Sequence, residues 1–125
     1  MYKRQGAGQP DTVGVISGAT QNNAASFVTS ITVGLAPYSI AVDQTTNKIY
    51  VGNCGNFCAN GGTGGSSMTV IDGATNTLEA AAATGAGPWA ILPNLATHTV
   101  YEADQPGNDV TAVSYTHLDV YKRQV

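Results

Sequence analysis

The hydrophobic residues of this chain fall in short strand-like runs that polar, turn-forming residues separate. Four such runs occupy residues 39–43, 48–52, 68–72 and 78–84. Residues 44–47 and 73–76 between them contain Asn, Thr and Gly, which accept left-handed backbone or bond nearby backbone groups. Within a run, apolar side chains occur at both odd and even positions, which is typical of strands covered on two sides. The pattern predicts a unit of four antiparallel strands.

The same signatures return along the chain in the same order. Residues 13–21, 68–76 and 110–113 share one pattern, residues 34–42 and 85–93 a second, and residues 46–53 and 97–104 a third. Met68 and Val110 are 42 residues apart, close to the ~40–45 residues of a four-stranded propeller blade. The chain is therefore predicted to be all-β, a partial β-propeller of two to three four-stranded antiparallel blades.

The register of the repeats also divides the chain. Residues 12–33 are predicted to end one blade, residues 34–84 to form a full blade, and residues 85–113 to form an incomplete third blade. Tyr50 and Tyr101 are 51 residues apart, and the excess over one repeat lies in a loop insertion at residues 54–67. In the third blade, Pro106 followed by Gly107 predicts a type II turn.

One segment of the full blade gives a competing signal. Asn76, with Glu79 three residues later and Gly85 after a run of alanines, has the cap, the helix formers and the stop of a short helix. Its repeat counterpart, residues 27–33, is rich in β-branched residues. Because tertiary context overrides local propensity, we predict a strand over residues 77–84.

The two termini do not share the repeat pattern. Both carry the tetrapeptide Tyr-Lys-Arg-Gln, at residues 2–5 and 121–124. Residues 114–125 resemble an adapter-derived tail found at the ends of translated metagenomic contigs, and residues 1–5 resemble the last residues of that tail. We therefore expect both segments to be artefactual and exclude them from functional reasoning. The alternative is a native basic terminus that binds anions.

Residues 6–113, which remain, are acidic and sparsely charged. They contain Lys48 against seven Asp and Glu residues, and only 10% of the whole chain is charged. Such a surface does not neutralise a phosphate backbone, so nucleic-acid binding is disfavoured. No apolar run approaches the ~20 residues that a helix needs to cross a bilayer, and no membrane span is expected in this segment.

Several short motifs together resemble a known repeat. The Gly34-x-x-Pro37 turn, the Tyr50-Val-Gly-Asn53 strand and residues 69–77 occur in the order of the YVTN repeat of bacterial and archaeal β-propellers. The resemblance covers about residues 12–113. It implies a propeller in surface-layer, secreted or periplasmic proteins that bind or scaffold, and it supplies no universal catalytic residues.

The third unit departs from that repeat. Tyr101 is followed by Glu102, Ala and Asp104, and Pro93 stands where the preceding blade has Asp or Val. Proline does not donate to a strand ladder, so we expect it at a strand end.

Cys54 and Cys58 lie in the insertion and are the two cysteines of the chain. A zinc site needs about four ligands, and a redox dithiol usually has Cys-x-x-Cys at a helix start. We favour a local disulfide that pins the insertion, which implies an oxidising compartment. Two reduced thiols are the main alternative.

The remaining candidates for chemistry each have a simpler explanation. The glycine-rich residues 61–67 lack the Lys of a phosphate loop, and His98 has no accompanying Ser or Cys motif. Asp104, Asn108 and Asp109 carry calcium-ligating oxygens, but a hairpin turn rich in Asp and Asn explains them. Trp89 either lines a ligand surface or packs between blades. No catalytic, cofactor-binding or metal-binding residue is assigned.

These observations favour a secreted, periplasmic or cell-surface propeller used for binding, adhesion or scaffolding. Its partners would be an unknown protein or carbohydrate ligand and the rest of the propeller in a longer chain. The alternative is a fragment of a propeller enzyme, a lactonase-like hydrolase or an oxidoreductase, with a site on the central channel that draws on blade-end acids and His98. A third interpretation is that this segment has no independent function, because open strand edges and blade faces invite aggregation.

Overall fold

The structure is a computed structural model that describes residues 11–18, 24–56, 58 and 66–115, together with the backbone of residues 119–124. It contains ten described strands: β1 (Thr12–Ser17), β2 (Ser26–Thr32), β3 (Pro37–Asp43), β4 (Lys48–Asn53), β5 (Ser67–Asp72), β6 (Thr77–Ala83), β7 (Pro88–Asn94), β8 (Thr99–Asp104), β9 (Asp109–Ser114) and β10 (Asp119–Gln124). In these ranges no helix is long and apolar enough to cross a membrane.

The strands form three antiparallel sheets, each of which follows chain order. Blade 1 is the pair β1–β2, blade 2 is β3–β4–β5–β6, and blade 3 is β7–β8–β9–β10. Blades 2 and 3 approach each other most closely at β3 and β7, their first strands, while blades 1 and 2 also meet at β2 and β6. Successive four-stranded meanders stacked in this way are blades of a β-propeller. The all-β, partial-propeller prediction is confirmed.

The predicted strands of the full blade are confirmed, including the one with a helix signal. β6 pairs with β5 from Ser67 opposite Ala83 to Asp72 opposite Thr77. Its alanines satisfy their backbone groups in the ladder, which outweighs the few tenths of a kcal/mol per residue that separate helix propensities.

Four hairpin turns share one geometry. The last residue of each turn has left-handed backbone: Asn47, Asn76, His98 and Asn108, with φ between 49° and 57°. The predicted type II turn is wrong, because Asn108, and not Gly107, adopts positive φ. The 105–108 connection has the same length as the other three turns, and it adopts their conformation.

Two hydrophobic clusters lie on opposite faces of blade 2. Tyr50, Met68 and Val70 pack against Val100 and Val113 of blade 3, and all five are at most 4% exposed. On the other face, Val51 and Ile71 pack against Ile31 of blade 1. Burial of each such side chain contributes about 1.5–3 kcal/mol. The prediction that strands are covered on both sides is therefore confirmed for the centre of blade 2.

The same faces are uncovered at the outer blades. Tyr101, the repeat counterpart of Tyr50, is 41% exposed where Tyr50 is 0% exposed. Ile40 and Val42 of β3 are also exposed, since the described part of blade 1 supplies two strands and does not reach them. A face that a neighbouring blade covers at one repeat position is therefore exposed at the equivalent position of another blade.

Residues 119–124, which belong to the tail predicted to be artefactual, form a strand of the structure. β10 pairs with β9 from Asp119 opposite Ser114 to Gln124 opposite Asp109, as the fourth strand of blade 3. Tyr115 donates its hydroxyl to Asp43 at 2.9 Å. The artefactual origin of residues 114–125 remains a prediction, and residues 1–5 lie outside the described residues.

Candidate functional site

The two ends of the blades carry different connections. The turn end consists of the short hairpin turns at residues 44–47, 73–76 and 95–98. Because adjacent strands are antiparallel, the connections that alternate with these turns along the chain lie at the opposite end, which we call the insertion face. The insertion face carries the connections at residues 33–36 and 84–87, the insertion that follows Asn53, and the turn at residues 105–108.

The insertion is fixed to its neighbours at both of its ends. Cys54 and Cys58 form a disulfide with their Cα atoms 5.5 Å apart. The Cys54 N–H donates to the Ala36 carbonyl at 2.9 Å. Ser66, at the far end, donates its hydroxyl to the Cys54 carbonyl at 2.9 Å and accepts from the Gly87 N–H at 3.1 Å. The ends of the insertion therefore join the connection before β3 to the connection before β7. Residues 59–65, which include most of the glycine-rich run, lie outside the described residues.

An aromatic pair stands at the insertion face where the first strands of blades 2 and 3 begin. Tyr38 and Trp89 hold equivalent repeat positions, and in both strands the ladder shifts register at this residue. A bulge of this kind re-aims a side chain. The two ring centroids lie 5.1 Å apart with planes tilted by 33°, yet Tyr38 is 52% and Trp89 57% exposed. Trp89 thus packs across a blade boundary and remains open to solvent, and its role at a ligand surface stays a prediction.

An open cleft of about 450 Å³ lies beside Trp89 at the same face. Its lining consists of Trp89, Ala103, Asp104, Gln105, Asn108 and Asp109. One aromatic side chain therefore borders two carboxyl and two amide groups. The three residues considered for calcium do meet here, but the described side chains include no group of three or more His, Cys, Asp or Glu residues placed to hold a metal ion.

Two carboxylates in this cleft lie directly opposite each other. Asp104 of β8 pairs in register with Asp109 of β9, and Asp104 accepts a hydrogen bond from the Thr111 hydroxyl at 2.7 Å. The same position in blade 2 holds Asn53 opposite Ser67, where the Asn53 amide donates to the Ser67 hydroxyl at 3.2 Å. Like charges opposite each other in a sheet are destabilising. Blade 3 thus places charge where blade 2 has a neutral hydrogen-bonded pair.

A third acidic residue lies outside the cleft, between blades 2 and 3. Glu102 is 0% exposed, and neither of its carboxyl oxygens has a hydrogen-bond partner among the described residues. Burial raises the pKa of Glu102 to about 7; the nearby Thr84 hydroxyl opposes this effect without reaching hydrogen-bond geometry, and Asp104 adds to it. The repeat counterpart of Glu102 is Val51. An acidic residue at a position that is apolar in the preceding blade could therefore have identified Glu102 from the sequence.

His98 belongs to the opposite end of the blades. Its ring meets that of Tyr115 edge-on, with centroids 5.6 Å apart, and Tyr115 in turn contacts Asp43. Hydrogen bonds, above all from the Thr45 hydroxyl, hold the pKa of Asp43 well below its usual range. Burial raises the pKa of Tyr115 to about 12. The structure therefore does not bring His98 together with the acids of the insertion face, which the enzyme interpretation had considered jointly.

Lys48 is also held at the turn end. Its ammonium contacts Asp72 at 3.6 Å and forms a second ion pair with Glu79. The Glu79 contact, which is the larger influence, raises the pKa of Lys48. Among the side chains that the structure describes, Lys48 is the one Lys or Arg. The side chains described at the insertion face include no Lys or Arg, while the backbone of Lys122 and Arg123 in β10 pairs with Thr111 and Val110 of β9.

Comparison with known proteins supports the fold. The chain is similar in structure to apo AztD from Citrobacter koseri, with a TM-score of 0.63 and 12% sequence identity over 90% of this chain. A second AztD structure from the same organism gives a TM-score of 0.61 at the same identity. The chain spans 28% and 29% of these two proteins. No protein-family model and no curated protein sequence matches the chain. The comparisons thus support the β-propeller fold, and they do not show the YVTN family, which stays a prediction from the sequence motifs.

Proposed function

We propose that this chain is a segment of an extracytoplasmic β-propeller that serves in binding, adhesion or scaffolding, with the insertion face as its binding surface. One observation carries the proposal: the disulfide-pinned insertion and the exposed Tyr38–Trp89 pair lie at the same end of the blades. Insertions in repeat proteins often mark the binding face, and exposed aromatic residues are enriched where proteins meet partners.

The disulfide supports the extracytoplasmic part of the proposal. Disulfides persist in oxidising compartments and are rare in the reducing cytosol. The Cys54–Cys58 bridge tethers a loop whose attachment points lie on both adjoining connections. The YVTN resemblance, which implies secreted, periplasmic or surface-layer proteins, points to the same location.

The test is an array of neutral glycans and extracellular proteins, probed with the exported chain after peptide mapping has verified the Cys54–Cys58 link. Tyr38→Ser removes half of the aromatic pair, and Glu79→Gln changes an exposed residue at the turn end. We expect any saturable ligand to bind about tenfold more weakly to Tyr38→Ser, because an aromatic anchor at the centre of a contact carries much of its energy.

The Glu79→Gln variant is expected to bind such a ligand like the parent chain. Equal binding of that ligand to Tyr38→Ser and to the parent would contradict the assignment of the insertion face. Free thiols at both cysteines in exported protein would contradict the proposed compartment.

A further inference from the structure

The two outermost blade faces expose apolar side chains. The side of blade 3 that points away from blade 2, which we call the leading face, carries Leu92, Tyr101 and Val110, all exposed. The side of blade 1 that points away from blade 2, which we call the trailing face, carries Ile16 and Phe27, which lie opposite each other across β1 and β2 and are 65% and 67% exposed. Exposed apolar surface of this extent marks an interaction site.

The leading face repeats a surface that is buried elsewhere in the chain. Tyr101 and Val110 hold the repeat positions of Tyr50 and Met68 in blade 2. Tyr50 and Met68 are both 0% exposed, because blade 3 covers them. The leading face is therefore the half of a blade–blade interface that receives the next blade.

The trailing face repeats the other half of that interface. Ile16 holds the repeat position of Ile71 in blade 2 and of Val113 in blade 3. Ile71 packs against Ile31 of blade 1, and Val113 packs against Tyr50 of blade 2. At both boundaries within the chain, this position thus covers the preceding blade. In blade 1 it is exposed, since the described residues form no blade before it.

The two faces are complementary but do not meet within one copy. Blade 2 contacts blade 1 on one side and blade 3 on the other, so the trailing and leading faces point in opposite directions. Each copy of the chain therefore presents both halves of an interface that the chain already builds between blades 2 and 3. Burial of apolar surface favours their contact between copies.

We propose that the chain binds a second copy of itself head to tail, with the leading face of one copy against the trailing face of the next. The inference goes beyond the proposed function, because it concerns the blade faces and not the insertion face. Head-to-tail contacts form rings when the rotation between copies closes, and propeller blades are arranged around a central channel. Contacts that repeat the geometry of blades 2 and 3 thus lead to a closed ring of a few copies. Flanking blades of a longer polypeptide are the competing occupant of both faces.

Sedimentation velocity of the chain, from about 1 to about 100 μM, measures the association. We expect a monomer at the lowest concentration and a reversible rise to one finite oligomer at the highest. A monomer at every concentration would reject the second copy and leave both faces to flanking blades. Growth in mass without a plateau would also overturn the inference, because it indicates unspecific aggregation and not a closed ring.

One variant for each face tests the head-to-tail arrangement. Tyr101→Lys places a charge on the leading face, and Ile16→Lys places one on the trailing face. Each variant alone is expected to associate at least about tenfold more weakly than the parent chain, because it buries a charge in an apolar contact. An equimolar mixture of the two is expected to form a one-to-one dimer through the two unaltered faces, and this dimer cannot grow. Leu95→Lys, which changes an exposed leucine at the turn end, is the control and associates like the parent.

The variants also separate head-to-tail contact from other arrangements. Loss of association in Tyr101→Lys with full association in Ile16→Lys would mean that two leading faces pair with each other, and it would contradict the proposal. A mixture that stays monomeric would contradict it as well. Thermal unfolding of dilute protein checks that each variant folds, and Leu92→Lys and Phe27→Lys replace a variant that does not. None of these results bears on the insertion face, so failure here leaves the proposed function standing.

Discussion

Raising the pH from about 5 to about 8 is expected to lower the free energy of unfolding by about 3 kcal/mol, and Glu102→Gln is expected to remove that dependence. The physical cause is burial. Glu102 is 0% exposed between blades 2 and 3, and neither of its carboxyl oxygens accepts a hydrogen bond from the described residues. Its charged form would lose the solvation that water gives to a carboxylate.

The direction follows from the two pKa values. Burial raises the pKa of Glu102 from 4.5 to about 7 in the folded chain. Between these values the folded chain holds a proton that the unfolded chain has released, so stability is full below the lower value and declines as the pH approaches 7. Above the folded pKa no further loss occurs. The lowered pKa values of Asp43 and Asp72 have the opposite effect, and they act at lower pH.

Urea unfolding at the two pH values measures the effect. Glu102→Gln keeps the side-chain shape without a titrating group, and Glu102→Val installs the residue that blade 2 has at this position. In both variants, position 102 is expected to add no pH dependence to the free energy of unfolding between about pH 5 and about pH 8. Glu102→Val is expected to be more stable than the parent chain at the higher pH. Glu79→Gln, at the exposed turn end, is the control and keeps the slope. An equal unfolding free energy of the parent chain at both values would contradict this account of Glu102.

Gly52→Ala is expected to destabilise the chain by about 1–3 kcal/mol or more, because it forces a methyl group between two blades. A Cβ atom at Gly52 would lie 2.5 Å from the Ser39 hydroxyl, 2.8 Å from Glu102 Oε1 and 2.9 Å from Ile91 Cδ1. Real Cβ atoms do not approach other atoms so closely, so these side chains, two of which belong to blade 3, must shift. The repeat counterpart Ala103 tolerates its methyl group because its face is uncovered.

Gly14→Ala is the matched control, since Gly14 also lies inside a strand. Its nearest contact would be Phe27 Cε2 at 3.8 Å, an ordinary van der Waals distance. Alanine there is expected to be neutral or to stabilise by about 0.4–1 kcal/mol, through the lower entropy of the unfolded chain. Thermal unfolding of Gly52→Ala and Gly14→Ala, each compared with the parent chain, measures the two effects. Similar effects at both glycines would mean that blades 2 and 3 are not in close contact at Gly52.

The sequence was most informative where a local pattern repeats. The 42-residue period placed the strands of blade 2, and the β-branched counterpart of residues 77–84 correctly outweighed their helix signal. The turn at residues 105–108 was misjudged because the Pro-Gly dipeptide was weighed alone, whereas Asn108 repeats the left-handed position of Asn47 and Asn76. An alignment of all four turns would have predicted the left-handed backbone at Asn108.

Contacts between blades could not be predicted from the repeated local patterns. The departure at Glu102 was visible, but its burial depends on how blade 3 stacks on Gly52. Likewise, Asp104 and Asp109 were read as turn residues, since their register across β8 and β9 is a property of the ladder. The contact of Tyr115 with Asp43 spans 72 residues, and no local pattern encodes it. The candidate site arises from such long-range placements.

The most direct test of the stacked-blade arrangement compares two tyrosines at equivalent repeat positions. Tyr50 is covered by Val100 and Val113 of blade 3 and is 0% exposed, whereas Tyr101 faces away from blade 2 and is 41% exposed. Hydroxyl-radical footprinting with peptide mass spectrometry, on dilute chain, reports the reactivity of each ring. The account predicts rapid modification of Tyr101 and strong protection of Tyr50. Equal modification of the two rings would contradict it, because blade 3 would then not cover blade 2.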